Sequence, residues 1–100
     1  MAKGYWIGHV DVDDVETYKQ YQAANAAPFK EYGAKFLVRG GQSTPVEGTL
    51  RSRHVIVEFD SYQKALDCYN SLAYQEAKAI RAAVSSGDMI IVEGYDGPQP

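Results

Sequence analysis

Gly4-Tyr5-Trp6-Ile7-Gly8-His9-Val10-Asp11-Val12, followed at once by Asp13-Asp14-Val15-Glu16, is the stretch whose reading decides the fold. Residues 4–12 are rich in aromatic and β-branched types and predict a strand. Asp13 then offers a helix cap, with Glu16 three residues on in capping-box position. Beyond it, Val15, Tyr18, Gln22, Asn25 and Phe29 fall on one helical stripe, with Tyr21 and Tyr32 beside it. Pro28 interrupts that helix, by a kink or by starting a second short piece. Gly33 closes it as a left-handed cap.

Working outward, Lys35-Phe36-Leu37-Val38-Arg39-Gly40 predicts a second strand and Arg53-His54-Val55-Ile56-Val57-Glu58-Phe59 a third. Between them, Gly40 to Gly48 is punctuated by Gly, Ser, Thr and Pro and reads as a loop. Asp60 or Ser61 caps a second helix with the stripe Ala65, Leu66, Tyr69, Leu72, Ala77, Ile80 and Val84. Asn70-Ser71 predicts a break within it, Ser71 being a new cap. Gly87-Asp88 reads as a turn and residues 89–95 as the last strand. The order β-α-β-β-α-β is that of an α+β, ferredoxin-like split βαβ unit, with an antiparallel sheet in the order 4-1-3-2. Residues 1–100 read as one domain.

Composition narrows the partners. Apolar residues make up 45% and charged residues 23%, and the net charge is −3. A nucleic-acid surface asks for a basic face, and Arg51, Arg53 and His54 are too few to supply one, so no nucleic acid is expected. No apolar run approaches a membrane span, and no basic start leads into a long apolar segment as in a signal peptide. A lone cysteine, Cys68, fits a reducing compartment, so the expected location is cytoplasmic.

Side chains alternate faces along a strand. One set comprises Trp6, Gly8, Val10, Val12, Phe36, Val38, Gly40, Val55, Val57, Phe59, Ile90, Val92 and Gly94. It holds nothing polar and is assigned to the face under the helices. The other set is mixed, and it puts Ile7, Leu37, Ile56 and Ile91 at the middle of each strand. A solvated face rarely carries such a patch. The simplest cover is the same face of a second copy, giving a homodimer.

The residues also carry a family likeness. Gly4-Tyr5-Trp6-Ile7, Asp14 with Tyr18 and Tyr21, Phe36-Leu37-Val38-Arg39-Gly40-Gly41 and Glu47-Gly48 come first. Glu58-Phe59, then Ser71, Tyr74 and Arg81, then Glu93-Gly94 complete the series. From about Lys3 to Tyr95 the chain resembles domain-of-unknown-function family 1330, in the dimeric α/β-barrel group. It departs from the pattern at Cys68-Tyr69-Asn70-Ser71-Leu72-Ala73-Tyr74, where the family reads Trp-Tyr-Asp-Ser-Pro-Glu-Tyr. The resemblance implies a homodimer with paired sheets. Relatives of that architecture include cofactor-free oxygenases, haem-processing enzymes, isomerases and stress-responsive proteins, so fold does not give function.

Several residues could carry chemistry. Arg39, next to Gly40-Gly41, could clamp a carboxylate in two-point fashion, or pair with Glu47, Glu58 or Glu93 and staple the sheet or the dimer. His9 and His54 fall on neighbouring antiparallel strands and could move protons. Two histidines without a third protein ligand make a poor zinc site, so no metal is expected. Glu58 and Glu93 late in their strands could act as bases, or pair with Arg39, Arg53 or Arg81. Tyr18, Tyr69 and Tyr74 could line an aromatic pocket, or belong to the core with hydroxyls at its rim. Cys68 reads as inert. No Ser-His-Asp set, P-loop or dinucleotide fingerprint is present, so no cofactor is expected. Two readings follow. One is a cofactor-free small-molecule enzyme, oxygenase- or isomerase-like, with His9, Arg39 and His54 catalytic. The other is a non-catalytic dimeric module for small-molecule binding or stress response.

Overall fold

Trp6 sits at the centre of one face of a four-stranded antiparallel sheet, and the helices pack over it. The computed structural model describes residues 2–100. The elements are β1 (Gly4–Val12), α1 (Val15–Ala24), α2 (Ala26–Glu31), β2 (Lys35–Arg39), β3 (Arg53–Phe59), α3 (Tyr62–Asn70), α4 (Leu72–Val84) and β4 (Ser85–Glu93). The sheet order β2-β3-β1-β4 is the expected 4-1-3-2 read from the other edge. The fold is therefore the α+β, ferredoxin-like one. Among the described residues, no helix is long and apolar enough to cross a membrane.

The helices begin and break where side chains can replace lost backbone partners. Asp14, not Asp13, caps α1, accepting from the Thr17 amide at 3.2 Å and the Thr17 hydroxyl at 2.8 Å. Asp13 is drawn away, its amide donating to the Val84 carbonyl at 2.7 Å. The first helix breaks at buried Asn25, so Pro28 falls in the first turn of α2, where proline is tolerated. Ser61 caps α3 and Ser71 caps α4, as the sequence predicts. Tyr18, Tyr21, Phe29, Ala65, Cys68, Tyr74 and Ala77 turn inward. Val15 and Leu72 do not join them. Both stand exposed at the first position of their helices, before the stripe turns onto the sheet.

Two strand assignments differ from the alternation. β4 begins at Ser85, and Gly87-Asp88 is paired strand, not a turn: Gly87 lies opposite Val10 and Asp88 opposite His9. Trp6 faces Ile91 and Ile7 faces Ile90, so Ile91 packs into the core while Ile90 and Val92 lie on the outer face. Met89-Ile90-Ile91-Val92 is uniformly apolar, so residue type gives no parity there and pairing with β1 decides it.

The second difference is a bulge in β2. Phe36 faces Val57 but Val38 faces Ile56, leaving Leu37 as the extra residue. Val38 is thereby turned to the outer face, and Arg39, opposite Val55, to the helix side. Both lie on the face opposite to the one their parity predicts.

The outer face, formed by Tyr5, Ile7, His9, Val38, His54, Ile56, Glu58, Ile90 and Val92, has no helix over it among the described residues. Ile90 is 58% and Leu37 54% exposed. The chain measures 17 Å along its shortest axis, consistent with one sheet and one layer of helices.

Candidate functional site

A narrow recess opens between α1, α2 and the helix side of the sheet. Its floor is Gly8, Val55 and Val57 with the flank of Trp6, and its wall is Tyr18, Tyr21, Asn25 and Phe29. Arg39, Arg53 and Arg81 stand around it. Counted out to the open mouth it spans about 560 Å3, only a small part of which is wide. Gly8 makes the floor low. A Cβ built there meets nothing closer than Met89 Cγ at 3.9 Å, so the strand leaves unfilled space at this point. Glycine inside a strand often marks such an approach.

The tyrosines form a linked set. Tyr21 and Tyr74 hydroxyls share a hydrogen bond of 2.9 Å. Burial pushes the Tyr74 hydroxyl far up, reinforced by Tyr21. Burial, with Tyr21 next to it, also pushes Tyr18 up. Near neutral pH these two hydroxyls are protonated, so they are hydrogen-bond donors and not bases. Burial alone would lower the Arg81 guanidinium, but the neighbouring Tyr74 and Tyr21 hydroxyls outweigh it and hold its pKa above the ordinary value. Its carbon lies 5.6 Å from the Tyr21 ring centre.

Arg39, Arg53 and Arg81 form no ion pair among the described residues. Among the described residues the pairs are Lys3–Asp60, Lys19–Glu16, Lys64–Asp60, and Arg51 with Asp11 and Asp88. The alternative pairing of Arg39 with Glu47, Glu58 or Glu93 does not form among the described residues of one chain. Arg39 instead lies over the Phe36 ring at 4.0 Å. Arg53 lies over Tyr18 at 5.7 Å, and its buried Nε has no hydrogen-bond partner among the described residues. Gly40 makes room for that guanidinium. It has φ +69°, and a Cβ on it would collide with Arg53 Nη1.

The other candidates are elsewhere. His9 and His54 are cross-strand partners as expected, with Nδ1 atoms 2.8 Å apart. They stand on the outer face, on the far side of the sheet from the recess. One Nδ1 must donate and the other accept, so at least one ring is neutral. Glu58 is on the same outer face and accepts a hydrogen bond from the Tyr5 hydroxyl at 3.0 Å. Glu93 is exposed at the sheet edge opposite Gly4, with no ion pair. Tyr69 lines a second, more open depression, which shares Arg81 and Met89 with the recess, and Lys78 lies 5.2 Å over its ring. Burial pushes the Cys68 thiol up to about 12, which removes it as a nucleophile at neutral pH.

Of the candidates, then, the fold brings together Arg39 and Tyr18 around one recess, with Tyr74 buried behind Tyr21. It separates His9, His54, Glu58 and Glu93 from them, while Tyr69 packs on Tyr74 with 5.5 Å between ring centres but lines the other depression. Sequence reasoning missed Arg53 and Gly8 as site residues. Arg53 has the parity of Val55 and Val57, and carrying that set one step back would have put a cation on the helix side.

The comparisons fit this picture. The chain resembles a protein of unknown function from Rhodopseudomonas palustris, RPA0582, with TM-score 0.77, 16% identity, and coverage of 96% of this chain and 85% of the other. It resembles SnoaB, a cofactor-independent oxygenase from Streptomyces nogalater, with TM-score 0.61, 9% identity, and coverage of 100% and 97%. A dimeric ferredoxin-like protein of unknown function from Thermobifida fusca follows at TM-score 0.59, 14% identity, and coverage of 92% and 89%. At such identities these likenesses speak for the fold alone. No curated protein matches the chain in sequence. The model of the domain of unknown function DUF1330 matches residues 3–95, and the chain belongs to that family.

Proposed function

We propose that this protein binds a small organic molecule in the recess between α1, α2 and the sheet, and works as a homodimer paired through the outer sheet face. The observation that carries the binding reading is Gly8. A strand at the centre of the sheet gives up a side chain where an apolar floor meets tyrosine hydroxyls, the pattern of a small-molecule site. The dimer reading is supported by the uncovered apolar outer face and by the likeness to a protein described as dimeric.

A second reading is catalysis on the bound molecule without an organic cofactor. It is favoured by the Tyr18 and Tyr21–Tyr74 hydroxyls at the recess, and by the likeness to an oxygenase described as cofactor-independent. In that chemistry tyrosines donate protons or hydrogen bonds, and His9 and His54, across the sheet, take no part.

The test of binding is Gly8→Val. Strand glycine is disfavoured by about 0.5–1 kcal/mol, so the variant is expected to fold with unchanged or raised stability. In amide NMR spectra, a set of small aromatic fragments is expected to shift Gly8, Val55 and Tyr21 in the wild type and to leave the variant unperturbed. Fragments that shift other surfaces, or that bind both proteins alike, overturn the reading.

A further inference from the structure

We infer that the ligand of this recess is a small organic carboxylate, gripped at its charged end by Arg53 with its apolar body on the Gly8 floor. This rests on the binding reading above and adds the ligand's chemical class. Arg39, Arg53 and Arg81 surround one recess in a chain whose net charge is −3. The one acid among the lining residues, Asp88, is paired opposite His9, so its carboxylate lies on the outer face, where it accepts from Arg51 Nε at 3.1 Å. The recess therefore concentrates positive charge that the protein itself does not neutralise.

Arg53 is the centre of the argument. Its Nε is buried without a partner among the described residues. A buried donor left unmade carries the desolvation cost of that group, so this guanidinium still has hydrogen-bonding capacity to offer. The guanidinium is also held in place, beneath Gly40 on one side and over Tyr18 on the other. Such a fixed fork matches the two oxygens of a carboxylate. The protonated Tyr18 hydroxyl adds a donor suited to the same anion. Apart from Tyr21, Gln22 and Asn25 on the wall, the rest of the lining is mostly apolar, so the body of the ligand is mostly apolar too. A bare, fully hydrated anion would leave the Trp6, Phe29 and Val57 surfaces unused.

The test uses benzoate, its uncharged counterpart benzamide, and inorganic phosphate as probes, with ligand-observed NMR on the full chain. Benzoate is expected to bind at least about tenfold more tightly than benzamide, since hydrogen bonds to a charged group contribute about 1.5–3 kcal/mol. Arg53→Gln is expected to bring benzoate down to the level of benzamide and leave benzamide unchanged. Arg39→Gln, at an exposed side chain, is expected to reduce the preference severalfold and keeps the test valid should Arg53→Gln not fold. Equal binding of benzoate and benzamide, both lost in Gly8→Val, overturns the carboxylate inference and leaves the binding reading standing. Phosphate binding more tightly than benzoate also overturns it. Absence of binding by every probe at millimolar concentration overturns both.

Discussion

The Asp11 carboxylate shows how one residue ties three segments together. Its Oδ1 accepts from the Ser52 amide at 2.9 Å and the Ser52 hydroxyl at 3.1 Å, and its Oδ2 from Arg51 at 3.1 Å. Arg51 also donates to Asp88 and Ser86, so the entry to β3 is pinned to β1 and β4 at once. The Ser52 amide, helped by the Ser52 hydroxyl and Arg51, holds the Asp11 carboxyl below its ordinary value. A depressed carboxyl contributes stability that is present above the unfolded value and lost as pH falls through the folded one. Asp11→Asn is therefore expected to be less stable than the wild type at pH 7 in urea unfolding. The gap should close as pH drops below the native carboxyl's value. A gap independent of pH would refute the assignment. None of this was legible beforehand: residues 11, 51–52 and 88 are distant in sequence, and only the sheet brings them together.

At the scale of elements, Ser71 is the clearest case of a break written in the chain. Its hydroxyl donates to the Cys68 carbonyl at 2.7 Å and accepts from the Tyr74 amide at 3.2 Å, closing α3 and opening α4 with one side chain. Ser71→Ala is expected to lower unfolding free energy by about 1 kcal/mol, the usual cost of losing such a cap. Chemical denaturation should report it as a shifted midpoint with unchanged slope; an unchanged midpoint would count against it. This break was readable because capping chemistry is local. The bulge at Leu37 was not. It depends on how β2 sits against β3, and it alone moves Arg39 from the outer face to the recess.

At the scale of the whole molecule, the proposed dimer rests on the outer face. Ile7, Ile56, Ile90 and Val92 form a contiguous apolar surface with no cover among the described residues. Light scattering coupled to size exclusion at micromolar concentration is expected to give about twice the 11.1 kDa chain mass. Ile90→Glu, at a 58% exposed position, is expected to give monomers with unchanged circular dichroism. A wild type that runs as a monomer would remove the dimer proposal. The sequence anticipated this face, though it chose Ile91 for the patch where pairing selects Ile90.

The sequence by itself determined the element order, the sheet order, both helix breaks to within a few residues and the family. Those follow from local capping, glycine and proline constraints and hydrophobic periodicity, which act over a few residues. Only the tertiary structure decided which face each side chain of β2 and β4 takes, because a bulge and a uniformly apolar run erase the alternation that would carry that information. It also decided what surrounds Gly8. In one strand that glycine is a weak point, but between Trp6, Val55 and Arg53 it is the floor of a recess.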